Sequence, residues 1–178
     1  MNRKLVVAAL LAASLIGCQA NPVSGRKQLV LVSEEQAQAS SATAYAQTMS
    51  EAQKTGKIST DAALNARVKR ITDRLIAQAG NMYAPSKEWK WSVLVLDEPK
   101  LNAWCMPGGK MAIYTGVIRK LSLSDDEIAQ IMGHEIAHAL LGHGRERMSR
   151  ALATQGGVLI GSIVAGQDLS ALTPVADI

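Results

Sequence analysis

Apolar residues recur along this chain with two different periods. In "DAALNARVKRITDRLIAQA" (61–79), Leu64, Val68, Ile71 and Leu75 return every three or four positions, which predicts a helix with one buried face. Thr60 stands where its N-cap belongs and Gly80 where a helix-ending glycine belongs. Upstream, Ser33 and Gln36 have capping-box spacing and predict an Ala- and Gln-rich helix to about Lys54, after a short strand in "QLVLV" (28–32). From residue 89 the pattern becomes β-branched and aromatic. "WKWSVLVL" (89–96) predicts a strand that Asp97-Glu98-Pro99 stops. "LNAWCM" and "MAIYTG" flank Pro107-Gly108-Gly109-Lys110 and predict a hairpin with a four-residue turn. Ser124 and Glu127 then open a capped helix whose Ile128, Met132, Ile136, Ala139 and Leu140 form one apolar stripe. Helices bracketing a small antiparallel sheet with a hairpin give an α+β class.

The first residues change the picture. Arg3 and Lys4, an apolar run from Leu5 to Ile16 and small residues before Cys18 make residues 1–17 a signal peptide, too short to span a bilayer. "LIGC" resembles the lipobox of bacterial lipoproteins, so Cys18 is the expected lipidation site; the alternative is ordinary cleavage with Cys18 a bystander. At roughly 0.8 kcal/mol per buried methylene, two or three acyl chains would hold the protein to a membrane. Gln19, rather than Asp, resembles outer-membrane sorting, which places the protein in the cell envelope, facing the periplasm. Residues 18–32 read as a lipid tether with a short strand, and 33–178 as one domain. Without its signal the chain drops from a formal charge of +4 to +2, since Arg3 and Lys4 leave. No basic cluster with interleaved aromatics remains, which argues against nucleic-acid binding. Cys105 is the only other cysteine, more a small core filler than a nucleophile. "ALATQGGVLIGSIVAG" (151–166) is apolar but too short to cross a membrane; Gly157 and Gly161 fit either a closely packed buried helix or a membrane dimer, and the former is favoured.

The chemistry concentrates in "MGHEIAHALLGHG" (132–144), which holds all three histidines of the chain. His134, Glu135 and His138 form H-E-x-x-H, the pattern of a helical zinc site with its own general base. On a helix His134 and His138 lie about 40° apart, so both imidazoles can meet one ion at about 2.0–2.1 Å. Glu135 lies beside that face, placed to take a proton from a water whose pKa zinc lowers to about 7. A third ligand is harder to find. His143, on a continued helix, would point about 160° away, and the H-E-x-x-H-x-x-G-x-x-H spacing fails; a break at Gly142 could redirect it, but a packed or hydrogen-bonded helix-end histidine is the better reading. Glu146, between Arg145 and Arg147, reads as a solvated charge, and neither Asp168 nor Asp177 lies on a helix aimed at the site. Four closed ligands for a purely structural zinc are not available.

"MGHEIAHALLGHGRERMS", "LNAWCMPGGKMAIYTG" and "NPVSGRKQLVLVS" after a lipobox together resemble the HtpX-like and CAAX-prenyl-protease-like zinc metallopeptidases, in their LoiP-type lipoprotein and mitochondrial Oma-type branch. The resemblance implies a zincin-like fold around the H-E-x-x-H helix, one zinc ion, and a third ligand from a Glu in an E-x-x-x-D motif on a later helix. No such motif occurs before Ile178, so a C-terminally truncated chain is expected, weak or inactive on its own. It also implies that Met111, Ala112 and Ile113 pair with an extended peptide substrate, with Asn102 at the cleft entrance. The function expected is a zinc metalloendopeptidase of the envelope that degrades unfolded or damaged proteins. The alternative is a non-catalytic lipoprotein that binds unfolded chains or partner proteins there.

Overall fold

The computed structural model describes residues 18–164, with side chains through residue 155. Residues 1–17, expected to form a signal peptide, Asp168, Asp177 and the packing expected of the glycine-rich segment lie outside the described residues. A short hairpin, β1 (Cys18–Ala20) and β2 (Lys27–Leu29), leads into α1 (Glu34–Lys54) and α2 (Ala62–Met82). A 3-10 turn (Ala84–Glu88) delivers β3 (Ser92–Leu96), followed by β4 (Ala103–Met106), β5 (Lys110–Tyr114) and the short α3 (Thr115–Lys120). Then come α4 (Asp125–Leu140), which carries H-E-x-x-H, and α5 (His143–Val164). Among the described residues no helix is long and apolar enough to cross a membrane.

Local signals account for most of these elements. Ser33 and Ser124 both close capping boxes, with Gln36 and Glu127 reaching back to the cap backbone. The cap of α2 is Asp61 rather than Thr60: its carboxylate accepts from the Leu64 amide at 3.0 Å. Nor does α2 stop at Gly80, which is buried and helical; the last helical residue is Met82, and Lys87 from the 3-10 turn lies over the glycine. A glycine permits a helix end without enforcing one, and here it permits close packing instead.

The α+β class holds, and the hairpin β4–β5 is antiparallel as expected. The third strand differs: β3 joins β5 in parallel, giving a mixed sheet of order β3-β5-β4. The chain passes from β3 to the far edge, forms β4, and returns through the turn to run between the two. In that turn Gly108 and Gly109 hold φ of +79° and +75°, and a Cβ on Gly109 would come within 2.4 Å of the Trp91 ring. No side-chain-bearing residue fits there.

This order overturns the expectation for Met111, Ala112 and Ile113. They sit on the middle strand, bonded on both sides and fully buried. A substrate could pair with them only by displacing a neighbouring strand. Among the described residues β4 has no strand on its outer edge, and α4 packs beside it.

The main core lies between α2, the sheet and α4. Val68 and Ile71 from α2, Met111 and Ile113 from β5, and Ile128, Met132, Ile136, Ala139 and Leu140 from α4 are all buried in one cluster. The apolar stripe of α4 is therefore the one the sequence predicts. Burial of a large aliphatic side chain contributes roughly 1.5–3 kcal/mol, so this stripe fixes the rotation of α4. The opposite face, with His134, is turned outward.

Candidate active site

On that outward face His134 is exposed, while Glu135 and His138 are half-buried. The two rings stand nearly perpendicular, at 78°, with centroids 4.4 Å apart. Their Nε2 atoms face each other at 2.9 Å. Two nitrogens each about 2.0–2.1 Å from one tetrahedral ion would be roughly 3.3 Å apart. A few tenths of an ångström of rotamer movement opens the pair to that separation, so the donor set fits a zinc-sized ion. Among the described residues no group of three His, Cys, Asp or Glu side chains is arranged to hold an ion.

Glu135 faces the β4 side of α4. Burial, helped by the negative charge of Glu135, pushes the Cys105 thiol on β4 up to about 12. Cys105 packs against the core as a small filler, and such a thiol supplies almost no thiolate near neutral pH. Asn102, just before β4, is exposed; its carbonyl accepts from the Tyr114 amide and its side chain from the Ala103 amide. These bonds fix its backbone at the start of β4, where that strand leaves its pairing with β5.

His143 departs from the continued-helix picture. The α-helix ends at Leu140, Gly142 takes φ +66°, and α5 begins at His143 in a new direction. The break returns the imidazole to the site: His143 Nδ1 lies 2.6 Å from His138 Nδ1, with the rings 4.8 Å apart. It is a hydrogen-bonded helix-end histidine, on the site side. Burial, the neighbouring His138 and Arg26 lower its pKa.

Glu146 is not a solvated charge. Its side chain is only 8% exposed and is ion-paired with Arg26 and Arg150, which hold its carboxyl below the usual range. The sequence offers no hint of this, because Arg26 is 120 residues away. It arrives on the β1–β2 hairpin, within the stretch expected to serve as a lipid tether with a short strand. That hairpin is docked: Asn21 and Gln28, both buried, each donate a side-chain N–H to the Leu141 carbonyl at 2.8 Å. Past β2, the amides of Leu31 and Val32 donate to the buried Ser149 hydroxyl.

A helix that presents two imidazoles and a carboxylate beside an open sheet edge, on an α+β core, is the layout of the helix-borne metallopeptidases. The chain belongs to peptidase family M48, whose model matches residues 62–173. It is similar to the metalloprotease LoiP of Escherichia coli, 31% identical over 156 residues, covering 85% of this chain and 58% of that protein. It is also similar to the mitochondrial metalloendopeptidase OMA1 of Homo sapiens, 32% identical over 130 residues, or 72% of this chain and 24% of that one. Arabidopsis thaliana OMA1 is 42% identical over 62 residues, 35% of this chain and 13% of that protein. The chain thus spans less than two thirds of the length of each of these relatives.

Proposed function

We propose that this chain carries the catalytic helix of a zinc-dependent metalloendopeptidase of the cell envelope, anchored through Cys18, that hydrolyses unfolded or damaged polypeptides. The observation that carries the reading is the facing pair of Nε2 atoms on His134 and His138, with Glu135 next in the helix and, alongside, the edge of β4 that bears no further strand among the described residues. His134 and His138 would hold the ion, which supplies Lewis acidity toward the scissile carbonyl and a more acidic water. Glu135 takes the proton from the attacking water and passes it to the leaving amine. An extended polypeptide is bound by main-chain pairing along Ala103–Met106, which reads backbone rather than side chains and so suits unfolded substrates. Asn102 would meet the chain at the cleft mouth. Cys18, exposed at the start of β1, can bear a lipid without disturbing the packed core. The names of the relatives, metalloprotease and metalloendopeptidase, support the activity class.

The experiment is Glu135→Gln. It is expected to keep zinc and to lower casein cleavage by on the order of 10²- to 10⁴-fold. Cleavage at the parental rate would remove Glu135 from its role. A parent chain that binds casein but never cuts it, with or without zinc, would favour a binding lipoprotein instead.

A further inference from the structure

We propose that His143 is a positioning residue for His138: its Nδ1 accepts the Nδ1–H of His138, which leaves the His138 Nε2 without a proton and turned toward His134. The inference rests on the metal reading above. It starts from a proton count. A neutral imidazole carries one N–H and one bare nitrogen. The two Nδ1 atoms of His138 and His143, 2.6 Å apart, share one proton between them. Nε2 of His138 is directed at His134; for that nitrogen to hold an ion in the metal reading, the proton of the ring sits on Nδ1. His143 is then the acceptor, and its own proton lies on Nε2.

Metal-binding histidines nearly always give their second N–H to an acceptor, which fixes the tautomer, locks the ring rotation and raises the basicity of the ligating nitrogen. The usual acceptor is a carboxylate or a backbone carbonyl. Here it is a third imidazole, brought in by a break in the helix at Gly142 rather than by helical periodicity. Three features hold it. Gly142 adopts a positive φ, a conformation that other residues take with strain. The Glu146 amide bonds the Gly142 carbonyl at 2.9 Å and starts α5 in its new direction. Asn21 and Gln28 secure the Leu141 carbonyl, while Arg26 secures Glu146. The docked N-terminal hairpin therefore braces the turn that aims His143.

The test measures zinc affinity of the whole chain by chelator competition, with thermal melts to verify folding. His143→Ala is expected to weaken zinc roughly 10- to 100-fold. His143→Gln, whose side-chain carbonyl can still accept the Nδ1–H, should stay within about threefold of the parent. Equal affinity for parent and His143→Ala overturns the proposal, as does a glutamine variant that folds but binds no better than alanine. Imidazole ¹⁵N spectra of the zinc-loaded parent give a second readout, independent of any variant. Protonated Nδ1 on His138 with bare Nδ1 on His143 is expected, and the reverse assignment refutes it. Failure of the metal reading is distinguishable: His134→Ala would then leave zinc affinity unchanged, while spectra of the metal-free protein still report whether the two Nδ1 atoms share a proton. Absence of that bond in both states refutes the positioning role by itself.

Discussion

At its N-terminus α4 is held in water: the Ser124 capping box, and an exposed Asp125 paired with Arg67 and Arg70 of α2 at 2.5 and 2.9 Å. At its C-terminus it is held in a buried junction, where Asn21 and Gln28 bond the Leu141 carbonyl and Arg26 meets the buried Glu146. Both ends satisfy orphan backbone groups of the helix. The difference lies in the surroundings. An exposed pair exchanges one hydrated arrangement for another and gains little, whereas a buried acceptor deprived of its donor has no water to replace it. The candidate metal site occupies the C-terminal half of the helix, next to the end whose supports are costly to lose.

The comparison can be broken from either side. Arg26→Ala leaves the Glu146 carboxylate buried with Arg150 as its remaining partner, and should cost about 2 kcal/mol in urea unfolding. If it costs no more than the loss of Asp125, the contrast fails. The same junction should be acid-sensitive. Arg26 lowers the pKa of Glu146 below its ordinary 4.5, so its contribution is complete above that value and is lost as pH falls through the folded-state value. Amide protection factors over 141–149, corrected for the intrinsic exchange rate, should therefore fall on acidification, and in Arg26→Ala should already be low at neutral pH.

Gln28→Ala removes one of the two donors on the Leu141 carbonyl and should cost about 1–1.5 kcal/mol, with zinc affinity falling as the turn loosens. An unchanged melt with unchanged zinc affinity would show that Asn21 suffices. At the other end, Ser124→Ala should cost about 1 kcal/mol through the lost cap, while leaving zinc affinity at the parental value. Asp125→Ala should have the smallest effect, a slight shift of the melting midpoint that 1 M salt abolishes, because screening shortens to about 3 Å there. A salt-resistant loss would mean that the exposed pair matters more than its surroundings imply.

The residues that encode α4 do so within a few positions of themselves. Ser124 with Glu127 starts it, the apolar stripe turns one face inward, and His134 and His138 one turn apart face outward together, because i,i+3 and i,i+4 neighbours share a face whatever surrounds the helix. The β4–β5 hairpin is legible for the same reason: its turn is written in two adjacent glycines at positive φ. Periodicity marks strands but not their neighbours, so it could not say that β5 runs in the middle or that β4, among the described residues, lies at an edge. Nor could it expose the docking of Asn21, Arg26 and Gln28 against Leu141 and Glu146, or the burial of Glu146 between arginines that in sequence suggest solvent. Those contacts join positions 113 to 120 residues apart. They exist only once the core has fixed where the helix ends, and for that reason the surroundings of His143 were decided by the tertiary structure.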